Sequence, residues 1–386
     1  MTLSNVDSTP LRAFDDRVVG FLGGLSAELL KSPLVRQHPD LSAFAFYIRK
    51  ANLASLQKQL NLEAGRIGRG LCFHVTPANI PVNFAFSWAF SLLAGNANVV
   101  RLPSKPFPQV DALVDVVARH LAAVPELQRR NEFVRYPRTD NDSTARYSAM
   151  ADCRMIWGGD RTIAAIRALP TMPRCVDICF ADRYSVALID GAAVLAADET
   201  QLARLVEGFY NDTYLMDQNA CSSPQVILWE RDSHAARERF WTAVVAFARR
   251  KYALQDAVAV DKYTLFCEEA ANNPSFAKLT RVDNLLYRVE LNALHDDLVS
   301  HRGKGGFFFE YALADREDFF KVVTERFQTI TQFGVDVEQL RRQVVEHALR
   351  GVDRIVPVGQ AMNIGAVWDG CDLVRGLSRV VACQTS

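Results

Sequence analysis

The sequence predicts a two-domain α/β protein with a mostly parallel sheet. The chain has 386 residues, and at roughly 150 residues per domain this length corresponds to two domains and a smaller third element. Hydrophobic residues make up 49% of the chain, enough to bury a large core. Between residues 70 and 190, β-prone runs alternate with helical patterns of about 10–15 residues, the order that is typical of βαβ units.

The first 60 residues are predicted to be helical. Apolar residues recur at three-to-four spacing over 16–30 and again over 38–60, with Asp40 as a candidate N-cap of the second helix. The loop that follows, LEAGRIGRG over 62–70, is basic and rich in glycine. Its glycines do not follow a strand in the GxGxxG order, so we do not predict a dinucleotide fingerprint there.

Strands and helices then alternate as far as residue 190. The turns after the predicted strands are polar, and they read TPANIP, LPSK and WGGDR. Because ligands of parallel α/β sheets bind at the carboxyl ends of the strands, these turns are the candidate binding loops. We predict strands over 70–77, 96–104, 152–160, 173–180 and 184–190, and helices over 79–95, 110–124 and 161–169.

The C-terminal half is predicted to be a second α/β region around a cysteine-containing loop. A helix over 199–212 leads into that loop, and a strand and a long helix over 234–254 follow it. The tail over 351–381 has the pattern of a strand, a turn rich in Gly and Asn, and a closing helix. On this topology we place domain borders at about residues 190 and 350.

Composition and charge exclude several classes of function. Lysine plus arginine and aspartate plus glutamate are equal at 44 each, which argues against nucleic acid or an anionic membrane as the main partner. The longest apolar run, over 84–95, is too short to span a bilayer, and the N-terminus lacks a signal-peptide pattern. Eight scattered cysteines fit reduced thiols, so we expect a cytoplasmic protein. Cys175 and Cys179 have no further ligands at zinc-finger spacing, so no metal site is predicted.

Cys221 is the main candidate for chemistry. It lies in the stretch DQNACSSP, shortly before the apolar, β-prone run over 226–229. A free cysteine is most often a small buried hydrophobe. The other interpretation is a nucleophile for an acyl group, with backbone N–H groups and an asparagine side chain to meet the oxyanion. Asn79, in the proline-flanked turn TPANIP, is a candidate for that asparagine, and an ordinary turn residue is the alternative.

Four motifs in this order resemble the aldehyde dehydrogenase superfamily: TPANIP, GNANVVRLPSK, WGGDRT and DQNACSSP. The stretch HPDLSAFAFYIRKANL, the cysteine loop and the tail GVDRIVPVGQAMNIGAVWDGCDLVRGLSR are more specifically similar to the LuxC-type acyl-CoA reductases, the fatty acid reductases of bacterial luminescence and their relatives. The resemblance spans about residues 35–380. It implies an aldehyde dehydrogenase-like fold, with N-terminal helices and a Rossmann-type cofactor domain over 1–190, an α/β catalytic domain over 191–350, and a closing segment over 351–386 that returns to the cofactor domain or an oligomer interface.

The resemblance implies a mechanism on the cysteine. It makes Cys221 the nucleophile that accepts the acyl group, and Asn79 with the Cys221 backbone N–H the oxyanion hole. An acyl-CoA or acyl-protein thioester would acylate Cys221, and hydride from a nicotinamide would then release an aldehyde. The sequence does not show which group activates the thiol. His74, near the Asn79 turn, is a weak candidate, and core packing is the alternative for it.

The resemblance also implies a cofactor site. Arg101, Ser104 and Lys105 fall where the superfamily contacts the adenosine ribose, although the usual lysine is absent, which makes Arg101 an imperfect match. Lys105 replaces the glutamate of NAD-preferring members, and a cation suits a 2′-phosphate. We therefore predict NADPH, with NADH as the alternative, and a solvated surface charge is the alternative for Lys105. Gly158 and Gly159 match the turn near the nicotinamide, or form only a turn at the end of a strand.

One departure from the superfamily concerns hydrolysis. Hydrolytic aldehyde dehydrogenases carry a glutamate that activates water, and in this sequence that position holds Cys179, which is expected to be a core residue. The nearest carboxylates, Asp177 and Asp182, are expected to point elsewhere. Without such a base, the acyl group should pass to a thiol or be reduced rather than be hydrolysed.

The predicted function is therefore reduction of a fatty acyl thioester, from CoA or a carrier protein, to the aldehyde. A cofactor-independent cysteine acyltransferase or thioesterase stays open as an alternative, as does a non-catalytic acyl carrier or scaffold of a multienzyme complex. The resemblance implies a homo-oligomer and an acyl-protein synthetase or carrier protein as a partner. It does not decide the length of the acyl chain.

Overall fold

The structure is a computed structural model that describes residues 6–77 and 80–384. Its strands are β1 (Arg66–Gly68), β2 (Leu71–Val75), β3 (Ala97–Arg101), β4 (Asn131–Val134), β5 (Cys153–Trp157), β6 (Val176–Phe180), β7 (Tyr184–Asp190), β8 (Pro224–Glu230), β9 (Phe276–Val282), β10 (Leu286–Leu291), β11 (Phe307–Ala312), β12 (Phe327–Phe333), β13 (Arg354–Pro357), β14 (Val367–Trp368), β15 (Cys371–Asp372) and β16 (Ser378–Val380). Its helices are α1 (Asp16–Leu29), α2 (Pro33–Gln37), α3 (Pro39–Tyr47), α4 (Lys50–Leu60), α5 (Asn83–Leu93), α6 (Pro108–Ala122), α7 (Pro125–Gln128), α8 (Asn141–Met150), α9 (Asp160–Arg167), α10 (Gly191–Ala196), α11 (Glu199–Asp212), α12 (His234–Lys251), α13 (Asp256–Asn272), α14 (Arg316–Phe320), α15 (Val337–Glu346) and α16 (Leu373–Gly376).

The chain divides into two compact units. The first unit comprises the described residues up to Ala181 and from Ile364 onward, and the second unit comprises Asp182–Asn363. The sequence places its borders at about 190 and 350, whereas the units divide just before β7 and after β13. The assignment of a cofactor domain and a catalytic domain to these regions stays a prediction.

The first unit contains a parallel sheet, which confirms the expectation from the βαβ alternation. Within the described residues its five strands have the order β4-β3-β2-β5-β6, and each neighbouring pair is parallel. Strands β2 and β5 are neighbours although β3 and β4 lie between them in the chain, so the strand order reverses at this pair. The carboxyl ends of β2 and β5 therefore border the crevice in which ligands of such sheets bind.

The apolar run over 84–95 forms a buried helix, as its sequence predicts. Every residue of α5 is buried, and the helix packs within the main hydrophobic cluster of the first unit. Among the helices that the structure describes, none has the length and apolar character needed to cross a membrane.

The N-terminal helices differ from the prediction at one point. The pattern over 38–60 predicts one helix, but the structure has α3 and α4, because the backbone of Arg49 is extended (φ −63°, ψ 143°). Ile48 at this break is fully buried, so packing against the core redirects the chain. Asp40 is not the N-cap, because His38 takes that position. Asp40 lies in the first turn, where a carboxylate still favours the positive end of the helix dipole.

The second unit contains a larger mixed sheet with helices on both faces. Within the described residues its seven strands have the order β13-β12-β7-β8-β11-β10-β9, and only β9 is antiparallel to its neighbour. Two hydrophobic clusters cover the two faces of this sheet. Strands β7 and β8 pair through Ser185 and Pro224, which sets the geometry of the candidate site.

The tail returns to the first unit, where β16 pairs antiparallel with β1. The predicted closing helix is confined to the four residues of α16. Side chains of the first unit bind the backbone at its end: Arg69 donates to the carbonyl of Gly376 at 2.7 Å, and Asn96 donates to that of Leu377 at 2.9 Å. These side chains satisfy carbonyls that have no partner within the helix, where the chain turns into β16.

Candidate active site

Cys221 lies on the loop that enters strand β8, three residues before Pro224. Asp182 lies three residues before Ser185 on the neighbouring parallel strand β7. Since Ser185 and Pro224 are register partners, these equal offsets bring both side chains to the same end of the two strands. The Cys221 thiol donates to Asp182 Oδ1 at 3.7 Å, and Ser185 Oγ donates to the Cys221 carbonyl at 2.7 Å. The expectation that Asp182 points elsewhere is therefore wrong.

Arg302 holds the Asp182 carboxylate in place. Its Nη1 donates to Asp182 Oδ1 at 3.0 Å, its Nη2 to the Arg183 carbonyl at 3.0 Å, and its Nε to the Val299 carbonyl at 3.3 Å. The guanidinium also lies 5.6 Å from the centroid of the Tyr184 ring, within cation–π distance. With this many partners the guanidinium has one defined orientation, so the charge opposite the carboxylate is fixed.

The backbone before Cys221 forms a tight turn around Gln218. Asp217 and Gln218 both have left-handed backbone conformations, with φ of 49° and 58°. The buried Gln218 amide accepts from the Gly306 N–H at 2.9 Å and donates to the Phe307 carbonyl at 3.0 Å. A side chain that bonds two backbone groups of β11 and its approach gives the turn a rigid anchor, which offsets the cost of the left-handed backbone.

A second glutamine connects this turn to the segment of Arg302. Gln225, the second residue of β8, donates to the Gln218 carbonyl at 3.1 Å and accepts from the Gly303 N–H at 2.9 Å. Gly303 directly follows Arg302 in the chain. The cysteine loop and the guanidinium are therefore supported by one hydrogen-bonded network, and the Cys221 thiol has a defined position relative to both charges.

A cavity of about 420 Å³ adjoins the cysteine loop within the second unit. This volume falls in the range of small-molecule sites. Gln218, Asn219 and Ala220, which directly precede the cysteine, form part of its lining. The charged side chains of the lining are Asp261, Glu268, Arg302 and Lys304. The cavity thus has charged groups of both signs in its lining, and Arg302 belongs both to it and to the Asp182 pair.

Asp212, the last residue of α11, fixes the C-terminal part of the second unit. Its buried carboxylate accepts from the N–H groups of Gly359 at 2.6 Å and Ala361 at 2.9 Å. Burial raises the pKa of Asp212 to about 6, and the two backbone donors oppose that shift. The sulfur of Met362, next in this segment, accepts from Ser222 Oγ at 3.5 Å. The tail motif GQAMN is thus connected to the serine that follows the cysteine.

In the first unit the predicted cofactor residues lie at the carboxyl edge of the sheet. Arg101 is the last residue of β3; its carbonyl accepts from Thr76 Oγ1 at 2.8 Å, and its guanidinium lies 4.6 Å from the centroid of the Tyr136 ring. Gly158 directly follows β5. Because β3, β2 and β5 are parallel neighbours, the sheet brings Arg101 and Gly158 to the edge where ligands bind.

The two glycines after β5 have different surroundings. A Cβ on Gly158 would lie 3.2 Å from the side chain of Thr162, so Gly158 allows the turn to pack against α9. A Cβ on Gly159 would meet no described atom within 4 Å. Gly159 is the N-cap of α9, and the space beside its Cα lets a ligand approach the backbone closely.

The remaining predicted site residues stay predictions. Ser104 and Lys105 are exposed on the loop after β3, with Lys105 Nζ 5.4 Å from the centroid of the Phe107 ring. Asn79 lies outside the described residues, so its role in an oxyanion hole is untested. Neither Ser104 nor Lys105 is buried by the fold, which is compatible with a ligand contact and equally with a solvated surface position.

Three other residues considered in the sequence have structural roles. His74 is buried and hydrogen-bonds Asn98 Oδ1 through Nε2 at 3.0 Å, so its interpretation as a core residue is confirmed. Cys179 is half-buried on β6, and burial raises the pKa of its thiol. Asp177 binds the buried Arg154 through two hydrogen bonds of 2.7 Å. Among the described residues, no group of three or more His, Cys, Asp or Glu side chains is arranged to hold a metal ion.

The family comparison matches a family model to residues 53–381, described as acyl-CoA reductase (LuxC). The chain belongs to the LuxC acyl-CoA reductase family. Membership supports an oxidoreductase that acts on acyl groups, and in general the reduction of acyl thioesters to aldehydes. The comparison with curated protein sequences gave no match.

Solved structures of aldehyde dehydrogenases share the fold of this family member. Aldehyde dehydrogenase 21 from Physcomitrella patens, in complex with the reaction product succinate, is 13% identical with a TM-score of 0.65, and the match covers 94% of this chain and 84% of that one. A NAD-dependent benzaldehyde dehydrogenase from Corynebacterium glutamicum is 12% identical with a TM-score of 0.60, over 95% and 83% of the two chains. A variant of proline utilization A from Bradyrhizobium japonicum is 14% identical with a TM-score of 0.64, over 94% of this chain but only 42% of that one. These likenesses confirm the predicted aldehyde dehydrogenase-like fold.

Proposed function

We propose that this LuxC-family protein reduces an acyl thioester to the aldehyde through an acyl-enzyme on Cys221, with a reduced nicotinamide dinucleotide as hydride donor. The observation that carries the proposal is the placement of the Cys221 thiol. It lies on a loop held by buried side chains, beside a carboxylate, an arginine and a cavity with charged side chains in its lining, in a chain of the acyl-CoA reductase family.

Acylation is the step for which the second unit supplies the groups. The Cys221 sulfur attacks the thioester carbonyl, a new C–S bond forms, and the bond to the donor thiol breaks. The thiol proton leaves Cys221, and the departing thiolate takes up a proton. The rigid turn around Gln218 favours this reaction because it holds the nucleophile and the adjacent backbone N–H groups in one arrangement. Such donors typically contribute about 3–4 kcal/mol each to the stability of a transition-state oxyanion.

The first unit is proposed to hold the cofactor. When bound, the nicotinamide supplies the hydride that reduces the acyl group. Gly159 fits this role because the space beside its Cα allows a close approach, and Arg101 lies at the same edge of the sheet. Ser104 and the exposed Lys105 are proposed to contact the ribose end. An ammonium group at Lys105 favours a 2′-phosphate, so we propose NADPH over NADH.

Thioester hydrolysis is a second candidate activity, and Asp182 is the observation that favours it. A carboxylate 3.7 Å from the Cys221 sulfur could accept a proton from water as well as from the thiol. Arg302 Nη1 donates to Asp182 Oδ1, so this oxygen is already engaged when water approaches. We therefore expect aldehyde as the main product, with the acid as a minor one.

The test is a product analysis with the full-length chain. We expect purified protein, NADPH and acyl-CoA thioesters of several chain lengths to give oxidised cofactor and aldehyde in equal amounts, with the aldehyde trapped as a hydrazone. Cys221→Ala should abolish both products, because the variant lacks the thiol that is proposed to accept the acyl group. Cys267→Ala is the matched control, since Cys267 is an exposed thiol of the same unit, and it should leave the rate unchanged.

Each alternative gives a different result in this assay. Thiol release with free acid and no NADPH consumption would replace the reductase proposal with a thioesterase. Thiol release with a stable acyl-enzyme on Cys221 would indicate an acyl carrier. NADH used with a higher kcat/KM than NADPH would overturn the choice of cofactor and leave the reductase function standing.

A further inference from the structure

The sequence identifies Cys221 but no group that tunes its thiol, and the structure supplies two. Asp182 Oδ1 accepts from the Cys221 thiol at 3.7 Å, and the same oxygen accepts from Arg302 Nη1 at 3.0 Å. The carboxylate therefore lies between the nucleophile and a cation. Both charged side chains are reached by solvent, with 44% of Asp182 and 32% of Arg302 exposed, so neither is a buried structural ion.

The support of the pair is more elaborate than an ordinary surface ion pair needs. Surface pairs usually contribute little, because long side chains lose entropy on forming them. Arg302, however, also donates to two backbone carbonyls and lies against the Tyr184 ring. Gln225 in addition ties the segment that follows Arg302 to the cysteine loop. The conformational entropy of the Arg302 side chain has thus already been lost in folding, and its positive charge is held in place near the Cys221 thiol.

Four other charged groups lie near the loop, and three of them have partners of their own. Asp217 accepts from the Tyr252 hydroxyl, and Lys304 pairs with Asp261 on the rim of the cavity. Arg183 Nη1 donates to the backbone carbonyl of Asp182 at 3.4 Å, and Glu268 lines the cavity. Among the contacts given for the described residues, Asp182 brings a negative charge to the thiol and Arg302 is the cationic partner of Asp182.

We infer that Asp182 and Arg302 are positioning residues for the Cys221 nucleophile: Asp182 aims the thiol, and Arg302 neutralises the carboxylate so that the thiolate can form beside it. The inference deepens the proposed function, because it rests on Cys221 being the nucleophile. In the thiol state, the S–H···O contact to Asp182 selects one direction for the sulfur. In the thiolate state, that contact becomes a repulsion between like charges, which Arg302 compensates.

Asp182 and Arg302 have opposite effects on the stability of the Cys221 thiolate. Removing the negative charge in Asp182→Asn favours the thiolate, so reactivity should appear at lower pH. Removing the positive charge in Arg302→Gln leaves the carboxylate uncompensated, so reactivity should appear at higher pH. A charge at this distance typically shifts the pKa of a neighbouring group by about one unit or more. The double variant should lie within about half a unit of the wild type, because both terms are then absent.

The experiment is the rate of alkylation of Cys221 by iodoacetamide as a function of pH, followed by mass spectrometry of the peptide that contains it. This readout needs neither acyl donor nor cofactor, so it tests the pair even if the protein proves not to be a reductase. Conversely, a normal alkylation profile with no aldehyde formed would count against the proposed function alone. We expect midpoints in the order Asp182→Asn, wild type, Arg302→Gln, from low to high pH.

Matched variants separate this effect from unfolding and from general charge. Glu338→Gln and Arg341→Gln make the same two charge changes in an exposed pair on α15 and should leave the midpoint in place. Arg302→Lys keeps the charge and should restore the midpoint to within about half a unit of the wild type. The inference is overturned if both Asp182→Asn and Arg302→Gln shift the midpoint in the same direction. It is also overturned if neither shift exceeds those of the α15 variants.

Discussion

The two units bury polar side chains in their sheets in different ways. The first unit buries a network of uncharged groups around β2 and β3, beside the separate Arg154–Asp177 pair of β5 and β6, whereas the second unit buries an ionic network around β8, β10 and β11. A neutral network requires only that each donor meets an acceptor. An ionic network must also replace the lost hydration of each charge, so its members depend on one another much more strongly. The comparison shows which of the two networks should be sensitive to single charge changes.

Glu310 is the centre of the ionic network. It is buried on β11 and accepts from the indole N–H groups of Trp229 and Trp241, both at 3.0 Å. Arg288 Nε lies 2.9 Å from its Oε1, as a charge contact without an aligned hydrogen bond, and Arg237 Nη1 lies 3.7 Å away. Burial raises the pKa of Glu310, and the two arginines and two indoles oppose the shift.

Asn98 is the centre of the neutral network. It is fully buried on β3, accepts from His74 Nε2 at 3.0 Å and donates to Asn131 Oδ1 at 2.9 Å. Asn131 Oδ1 also accepts from the Trp88 indole at 2.7 Å, and His74 Nδ1 shares a hydrogen bond with Ser87 at 2.8 Å. Each of these side chains thus meets a hydrogen-bond partner within the network, and the network contains no carboxylate or ammonium group.

The largest effect is expected from Glu310→Gln. The substitution keeps the shape and the indole partners but leaves Arg288 and Arg237 facing a neutral group, and breaking a buried ionic network costs about 3–5 kcal/mol. Urea denaturation monitored by tryptophan fluorescence measures the change. Glu338→Gln, in an exposed pair, is the control and should cost no more than about 0.5 kcal/mol. Equal costs at the two sites would show that the buried network adds nothing.

The second-largest effect on stability is expected from Lys262, a fully buried lysine on α13. Its Nζ donates to the carbonyls of Asn284 and Gly305 at 2.5 and 2.8 Å, and burial lowers the pKa of Lys262 from 10.5 to about 8. The unfolded chain therefore binds more protons between pH 8 and 10.5, so this group adds stability as the pH rises through that window. This lowering of the Lys262 pKa corresponds to about 3 kcal/mol of stability across the window.

The measurement for Lys262 is the free energy of unfolding at a series of pH values, compared with Lys262→Met. Other groups titrate in both proteins, so the difference between the two curves isolates Lys262. We expect the wild type to gain stability relative to the variant from pH 8 to 10.5. A difference that is constant with pH would contradict the shifted ionisation. Lys251, exposed at the end of α12, gives a matched control as Lys251→Met.

The smallest effect is expected from Asn98→Leu in the neutral network. It leaves His74 and Asn131 each without one partner, at a cost of about 1–3 kcal/mol. The cost should be the same at pH 7 and pH 9, because neither Asn98 nor Asn131 ionises there. Asn141→Leu, at an exposed position on α8, is the control in the same denaturation assay. A cost that changed with pH as strongly as for Lys262 would show that the Asn98 network does not behave as a neutral one.

Local patterns predicted most elements well. The helix expected over 199–212 is found as Glu199–Asp212, because Asp198 and Gln201 form a capping box that marks its start and its apolar residues face the core. The strand expected over 184–190 is found as Tyr184–Asp190. Such signals lie within a few residues of the element they define. The break between α3 and α4 could not be predicted in this way, because it depends on how Ile48 packs against residues distant in the chain.

In the candidate site, too, some features follow from the local sequence and others depend on residues that are distant in the chain. The cysteine loop before a buried strand was visible in the sequence, since a polar segment precedes a β-prone run. The Asp182 contact was not, because it follows from the pairing of Ser185 with Pro224 in two strands 39 residues apart. The equal offset of three residues from those partners was a usable signal, but only once the register was known. To predict the position of Arg302, one must also know that β11 pairs with β8.

The sequence by itself determined the family, the alternation of strands and helices, and the cysteine that is proposed to react, because each depends on residue type and short spacing. Tertiary structure decided which carboxylate lies beside that cysteine, which cation compensates it, and which charges are buried. The physical reason is that electrostatic interactions depend on distance and desolvation, and both are set by the register of strands that are remote in sequence.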